Sequence, residues 1–286
     1  MDKKNLTAAL AVQRKEITEY HVYTRLAKIC KDAHNAEVLL SIAEAERLHA
    51  VFWQGKTGVE VKPSRFRVFW HILKAHLLGL TFTLKQMEKN EGRASQKYKE
   101  LCMVFPDAGG IAYDEEAHEN DLINMLDEER LQYTGAIVLG LNDALVELTG
   151  SLAGFTLALG NTRVISLAGL ITGISASLSM ASANYLSGRS ENDPRALKSA
   201  FYTGIAYIIT VVFLILPFLL SQLKFLALAI TLSFAVLIIF LFNYYLATAR
   251  DLDFKKRFLE MTVISLGVAA ISFGIGYILQ YILDAS

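Results

Sequence analysis

Residues 133–154, YTGAIVLGLNDALVELTGSLAG, divide this 286-residue chain into two unlike halves. The stretch is long enough to cross a bilayer, since about 20 apolar residues in a helix span about 30 Å. It nevertheless carries Asp143 and Glu147, which are four residues apart and therefore share one face of a helix. A carboxylate at membrane depth costs at least ~2.5 kcal/mol. We therefore predict that both acids have a function.

Charged residues are concentrated before this stretch. Only nine of the 28 Lys and Arg residues and eight of the 28 Asp and Glu residues follow residue 130, whereas all six His residues precede it. The formal net charge of zero excludes a strongly basic nucleic-acid-binding domain, so no nucleic-acid partner is expected. The N-terminus runs into an amphipathic pattern and lacks the apolar core of a cleavable signal peptide. We predict a soluble domain at residues 1–130 and a membrane domain at residues 131–286.

The predicted soluble domain shows the apolar spacing of three and four residues that is typical of amphipathic helices, with no alternation typical of strands. Gly and Pro residues divide it into four segments. We predict an all-α fold, a four-helix bundle with helices at about 5–30, 34–55, 65–101 and 108–131.

Glutamate and histidine residues repeat along this bundle. Two predicted helices each carry a Glu-x-x-His pair, whose members lie on one helix face. The other two each carry a glutamate that is followed seven residues later by tyrosine. This is the ligand pattern of di-iron carboxylate bundles, and such ligands suit iron or manganese. We predict a di-iron site, with manganese as the alternative metal, on the following residues: Glu16, Glu46, His49, Glu91, Glu115 and His118.

The same residues give this half a resemblance to the rubrerythrin and ferritin-like families, together with residues 16–27, EITEYHVYTRLA. The resemblance implies a ferritin-like fold and a metal role for those six residues. Glu19 and Glu88 lie one turn away on the same faces as additional or transit ligands, and Glu119 is an alternative to Glu115. Cys30 and Cys102 lack metal-type spacing, so we expect buried thiols in a reducing compartment.

A basic aromatic segment, RFRVFWHILK at residues 65–74, begins the third predicted helix. Its apolar stripe consists of Phe66, Phe69, Trp70, Leu73 and Leu77. Arg65, Arg67 and Lys74 flank that stripe. This pattern favours a helix at the membrane interface. Packing of the stripe against the bundle or against a partner subunit is the alternative.

Five apolar segments follow residue 130, at about 135–158, 164–187, 200–220, 225–248 and 258–282, and each is long enough to span a bilayer. The second-to-third and fourth-to-fifth links are rich in Lys and Arg, so the positive-inside rule places them in the cytosol. The N-terminal domain is then cytosolic as well. Gly150-x-x-x-Gly154 and Gly169-x-x-x-Gly173 allow close helix approach, either within the chain or in a dimer.

The end of the second span is polar and contains Met180 and Asn184. Because the first two spans run in opposite directions, Asp143 and Met180 are expected at similar depth, ~12 Å and ~9 Å from the cytosolic edge. A carboxylate with a thioether suits a soft-to-borderline divalent ion. A Met that only packs in the core is the alternative.

LGLNDA at residues 139–144, together with SMA at 179–181 and NYLS at 184–187, resembles the vacuolar iron transporter family. The resemblance covers nearly the whole membrane half and implies that Asp143 and Met180 bind metal in a pore. It also implies a homodimer that exchanges metal for protons. The chain has Ala144 and Asn184 where the family often has Gly and Glu.

Joined in this order, the two halves resemble the membrane-bound ferritins, also called erythrin–vacuolar iron transport proteins. The resemblance implies export of Fe²⁺, or of Mn²⁺, from the cytosol through the lipid bilayer of a prokaryotic cytoplasmic membrane. Asp143, Glu147, Met180 and Asn184 are the predicted transport pathway. The alternatives are a membrane-anchored ferroxidase or peroxidase and a tethered iron-storage protein. A membrane anchor, however, needs only one span without acidic residues, whereas this chain has five predicted spans, with Asp143 and Glu147 in the first.

Overall fold

The computed structural model describes residues 2–89, 104–111, 114, 133–250 and 252–284. These residues form helices and short connections, with no strand among them. The chain divides into two compact units, Met1–Glu128 and Glu129–Ser286. The predicted boundary, after residue 130, lies two residues from this division.

Helices α1 (Lys3–Ile29), α2 (Ala33–Thr57) and α3 (Arg65–Leu78) belong to the first unit, and residues 80–89 are the described part of helix α4. Local signals set the ends of α2. The Asp32 side chain accepts a hydrogen bond from the Asn35 N–H at its start, and Gly58 ends it in the left-handed conformation. The Ser64 side chain caps α3 in the same way.

The prediction of one continuous helix from residue 65 to 101 is wrong at Gly79. This residue has a φ of 98°, which L side chains rarely adopt, and α3 ends at Leu78 while α4 begins at residue 80. A glycine inside an apolar helical pattern is compatible with an uninterrupted helix, so the pattern did not reveal the break.

The core of the first unit forms where α1 packs against α2 and α3. Val22, Tyr23 and Leu26 of α1 meet Leu39 and Ile42 of α2 there, and all five are almost completely buried. Residues 104–111 pack at the other end of α2, where Trp53 lies edge-on to the Phe105 ring with centroids 5.6 Å apart. The described residues do not establish a four-helix bundle.

The second unit consists of five helices, α5 (Thr134–Ala158), α6 (Thr162–Ser190), α7 (Ala196–Leu220), α8 (Lys224–Ala249) and α9 (Phe254–Asp284). All five are long and apolar enough to span a membrane, which confirms the five predicted spans. Each begins and ends within a few residues of its predicted bounds, because links of three to five residues, with charged or helix-breaking side chains, separate the apolar runs.

Helix α5 packs against each of the other four helices of its unit. Its glycines permit this, since a methyl group added at Gly150 would lie 3.0 Å from Val268 Cγ1 of α9. On α6, a methyl group at Gly173 would lie 2.7 Å from Val211 Cγ1 of α7. Both glycine motifs are therefore used for packing within the chain, as one of the two alternatives expected, and a role in a dimer stays a prediction.

Candidate functional site

Glu16, Glu46 and His49 come together in the first unit as a candidate metal centre. Glu16 projects from α1, while Glu46 and His49 are three residues apart on α2 and share a face. Each offers one ligand atom, and these atoms lie within 4.8 Å of one another. All three side chains are buried, Glu16 completely. The Glu-x-x-His spacing and the glutamate of the first helix therefore meet as the sequence predicted.

The environment of Glu16 favours a bound cation. Neither of its carboxylate oxygens receives a hydrogen bond from a donor among the described residues, and the Glu46 carboxyl group can pair with it only through a shared proton. Burial, and next the neighbouring Glu46 carboxyl group, hold the pKa of Glu16 well above its ordinary value. A buried carboxylate without hydrogen bonds is costly unless a cation or a proton compensates it. Two carboxylates and an imidazole are donors that suit iron, manganese or zinc, so the residues fit a metal ion.

Asp114 completes the surroundings of His49, although no pattern in the sequence singles it out. The Oδ2 atom of Asp114 lies 3.3 Å from His49 Nε2. The other ring nitrogen, Nδ1, lies 3.7 Å from Glu46 Oε2 and 3.9 Å from Glu16 Oε2. A carboxylate on one imidazole nitrogen fixes the tautomer that presents the lone pair of the other nitrogen to a metal. Asp114 thus orients His49 toward the two glutamates.

The remaining predicted ligands of this unit do not join the group in the described structure. Glu91, Glu115, His118 and Glu119 lie outside the described residues, and their roles stay predictions. Glu19 pairs with Lys15 at 3.2 Å on its own helix, and Glu88 pairs with Lys85 at 3.6 Å. The structure therefore brings together three of the six principal predicted ligands.

The second unit contains a candidate site around the acids of α5. Asp143 and Glu147 are both partly buried, one turn apart. The Tyr207 hydroxyl group of α7 donates a hydrogen bond of 2.7 Å to Glu147 Oε2. Tyr207 is completely buried and lies close enough to Asp143 to interact with it electrostatically. Its hydrogen bond crosses between helices, so sequence spacing could not reveal it.

Several buried hydroxyl groups of this unit have a backbone partner on their own helix instead. Thr156, Ser166 and Thr210, for example, each donate to the carbonyl group one turn earlier on their own helix. Such bonds satisfy a hydroxyl group without any site. Glu147 differs from these three because its partner is a side chain of another helix, an arrangement that Thr149 with Ser265 and Asn243 with Met261 share, but it is a carboxylate whereas they are neutral.

Helix α6 turns the side that carries Met180 and Asn184 toward α7. The Ser177 hydroxyl donates to the Gly204 carbonyl of α7 at 3.1 Å, so this side of α6 faces α7. Met180 and Asn184, three and seven residues further along, lie on the same side and are partly buried. Met180 also packs against the apolar core, as the core alternative expected.

The helix bounds place Asp143 and Met180 at similar depth. Asp143 is nine residues from the start of α5 and Met180 is ten residues from the end of α6. The two helices pack together through the short link at residues 159–161, so these ends lie on one side of the membrane. At ~1.5 Å per residue both side chains lie ~14–15 Å from that side.

A close approach of α5 to α7 holds the tyrosine in place. A methyl group added at Gly140 would clash with the Thr203 carbonyl of α7, and the Thr203 hydroxyl donates to the Ala136 carbonyl at 3.1 Å. On α7, Tyr207 is one turn beyond Thr203. On α5, Glu147 is two turns beyond Gly140. The absence of a side chain at Gly140 therefore lets the Tyr207 hydroxyl reach Glu147.

These helices carry the similarity of the chain to known proteins. Residues 134–197 match the model of the VIT family, the vacuolar iron transporters. The VIT match spans α5, α6 and the first residues of α7, and it contains Asp143, Glu147, Met180 and Asn184. No curated protein matches the chain.

The VIT match and the five apolar helices together identify an integral membrane protein. The match ends before Tyr207 and does not reach into the N-terminal unit. The match therefore gives no support to the ferritin-like fold predicted for residues 1–130, which stays a prediction.

Proposed function

We propose that this protein transports a divalent metal ion, Fe²⁺ or Mn²⁺, across a membrane. The observation that carries the proposal is the pair Asp143 and Glu147 on membrane helix α5, within the segment that matches the VIT family. That family implies transport of iron or manganese. Carboxylates persist in membrane helices where a cation or a proton compensates their charge.

The residues near Asp143 supply the further steps of this proposal. Asp143 binds the ion, Met180 offers a thioether that suits a borderline divalent cation, and Asn184 lies one turn from Met180 toward the end of α6. Glu147, held by Tyr207, is the next ligand or the proton carrier. A carboxylate that releases the metal can take a proton instead, so metal–proton exchange needs no further groups.

The basic links give the proposed direction. Arg189, Arg195 and Lys198 lie in or beside the α6–α7 link, and Lys255 to Arg257 begin α9 after the α8–α9 link. The positive-inside rule places both links in the cytosol, and α5 starts from the same side. The N-terminal unit is then cytosolic, and the ion leaves the cytosol of a prokaryotic cell through its cytoplasmic membrane.

The N-terminal unit is proposed to capture or sense the metal. Glu16, Glu46 and His49 hold one ion, and Glu91, Glu115 and His118 are the proposed further ligands of a di-iron ferritin-like site. When bound there, iron supplies redox chemistry, whereas the protein supplies a buried, negatively charged site oriented by Asp114. We further propose that the transporter is a homodimer, as the VIT resemblance implies.

The second candidate function is a membrane-anchored ferroxidase, peroxidase or iron-storage protein. The burial of the Glu16, Glu46 and His49 group favours it, because a fully enclosed site retains its ion. This alternative gives no role to the two carboxylates of α5.

Metal flux into sealed proteoliposomes under an imposed pH gradient tests the transport proposal. Asp143→Asn keeps the shape of the side chain and removes its charge, so Fe²⁺ flux should fall to the level of empty liposomes. Glu191→Gln, which removes an exposed carboxylate beyond the end of α6, is the matched control and should transport normally. Met180→Leu removes only the sulfur and should lower flux or alter the preference between Fe²⁺ and Mn²⁺.

Elemental analysis of the same preparations separates the two candidate functions. Asp143→Asn should keep the metal content of the N-terminal unit while it loses flux. Wild-type flux in Asp143→Asn would show that the ion takes another path. The absence of flux in the wild type, with iron oxidation intact, would favour the anchored enzyme.

A further inference from the structure

Helix α3 exposes a continuous apolar face. The exposed fractions of its largest apolar side chains are 74% for Phe66, 60% for Phe69, 48% for Trp70 and 68% for Leu77. At 100° per residue, these four and Leu73 fall within about 100° of one another around the helix. The rings of Phe66 and Trp70 are parallel, with centroids 6.3 Å apart. An apolar face of this kind marks a contact with a membrane or a partner.

The opposite face of α3 fixes this orientation. Val68 and Ala75 are buried in the core of the first unit, where α3 packs against α1. The helix therefore cannot rotate to bury its aromatic side chains without exposing the core. The exposed stripe is a fixed surface of the folded unit.

Cationic side chains border the stripe on both sides. Arg65 and His76 lie along one edge, and Arg67 and Lys74 lie along the other, each about 80–100° from Phe66. Arg65 and Arg67 form no ion pair with any residue that the structure describes, whereas Lys74 donates to Gln86 Oε1. His71 lies nearer the core, and burial, followed by Lys74 and Arg67, lowers its pKa to about 4.

The sequence around α3 contains no acid that would neutralise these charges. No Asp or Glu occurs between Glu60 and Glu88, while five Lys and Arg residues do. Tryptophan beside arginine and lysine is typical of helices that lie in the headgroup region of a bilayer with their apolar face in the acyl boundary.

We propose that α3 binds the surface of a bilayer that contains anionic lipid, with Phe66, Phe69, Trp70 and Leu77 inserted between the lipid chains. Arg65 and Arg67 then contact phosphate groups on either side of the helix. A second copy fits this face less well, since two identical stripes would bring unpaired arginines together without an acid between them.

The two tryptophans of the chain provide the test in the full-length protein, because Trp53 is completely buried and Trp70 lies in the stripe. The protein is placed in nanodiscs of phosphatidylcholine and phosphatidylglycerol whose acyl chains carry bromine, which quenches nearby indole emission. In Trp53→Phe the remaining Trp70 emission should be strongly quenched. In Trp70→Phe, the matched control, the emission of Trp53 should be unaffected.

The difference in quenching between the wild type and Trp70→Phe gives the same information if Trp53→Phe does not fold. Arg65→Gln with Arg67→Gln should weaken membrane engagement by about fivefold for each charge removed. Higher salt, or nanodiscs of phosphatidylcholine alone, should reduce the quenching of Trp70 in the wild type to a similar extent. Arg25→Gln with Lys28→Gln removes two exposed charges from α1 and should leave quenching unchanged.

Two results would overturn the proposal. One is unquenched Trp70 emission in every lipid composition. The other is a change in Trp70 emission that occurs only with two copies of the protein in one disc and is the same with and without bromine. That result would show that a protein partner, and not lipid, covers the stripe. Neither result bears on metal flux, so failure here is distinguishable from failure of the proposed transport function.

Discussion

Replacement of Glu16 by glutamine should stabilise the metal-free N-terminal unit and weaken its metal binding. The side chain is completely buried, and neither oxygen has a hydrogen-bond partner in the described part of the chain. An unsatisfied buried polar group costs ~1–3 kcal/mol, and more when it is charged. Glutamine carries no charge, and its NH₂ group can donate to the neighbouring Glu46 carboxyl group, so Glu16→Gln at neutral pH should raise the free energy of unfolding of the metal-free unit by about 1–3 kcal/mol.

A divalent metal ion should make wild type more stable than Glu16→Gln, the reverse of the order without metal. An ion that binds only the folded chain stabilises it by ~2.7 kcal/mol at a concentration of 100 times Kd. The variant lacks the anionic oxygen of one ligand, so its gain from the same concentration is smaller. The melting temperature of wild type should therefore be lower than that of Glu16→Gln in the presence of a chelator and higher in excess Mn²⁺.

The pH dependence follows from the raised pKa of Glu16. The folded chain holds the proton of this carboxyl group more tightly than the unfolded chain does. Its contribution to stability is therefore present below the ordinary value of 4.5 and is lost as the pH rises through the folded pKa. In chelator, the melting temperatures of wild type and Glu16→Gln should converge at low pH and separate as the pH rises.

Tryptophan fluorescence measures this in the full-length protein, because both tryptophans precede residue 131 and their emission reports the N-terminal unit alone. Glu44→Gln is the matched control, since Glu44 lies two residues from Glu46 but is exposed and paired with Arg47. A melting temperature of Glu16→Gln at or below that of wild type in chelator would contradict a destabilising charge at Glu16. Equal stabilisation of both proteins by Mn²⁺ would refute the metal assignment.

Tyr207→Phe should lower Fe²⁺ flux and destabilise the membrane unit by about 1.5–3 kcal/mol, the usual worth of a hydrogen bond to a charged group. Tyr202→Phe is the control, because Tyr202 stacks on the ring of Tyr133 and its hydroxyl forms no described hydrogen bond. Equal effects of the two substitutions would contradict a role for the Tyr207 hydroxyl. Asp114→Asn should weaken metal binding by about 10–100-fold through the loss of orientation of His49, which titration with Mn²⁺ measures. The exposed Asp107→Asn should have no such effect, and unchanged affinity in Asp114→Asn would remove the orienting role.

The membrane helices could be predicted closely because a bilayer imposes their length. Each span needs about 20 apolar residues, so hydropathy and charged links reveal number, bounds and order. Side chains that share one helix could be predicted too, because a spacing of three or four residues fixes a common face. Glu46 with His49 is an example that the structure shows.

Contacts between helices could not be predicted, because they depend on which faces pack. Tyr207 is 60 residues from Glu147, and Asp114 is 65 residues from His49. Neither has a distinctive local pattern, since Tyr207 stands in an apolar span and Asp114 beside a run of acids. The break at Gly79 has a related cause. Val68 and Ala75 of α3 share one core cluster with Leu84 and Met87 of α4, and an apolar pattern does not show where the chain turns between them.

The two candidate sites differ in the burial of their carboxylates, and this difference distinguishes a site that retains an ion from one that lets an ion pass. Glu16, Glu46 and His49 are almost completely enclosed, so an ion that leaves them must abandon two charges in the protein interior. Asp143 and Glu147 are only partly buried, and the Tyr207 hydroxyl compensates one oxygen of Glu147 when the ion departs. On the proposed function, we therefore expect the loss of an ion to cost less in the membrane unit than in the N-terminal unit. Slow exchange at Glu16 and rapid exchange at Asp143 are what a protein that captures a metal in one unit and moves it through the other requires.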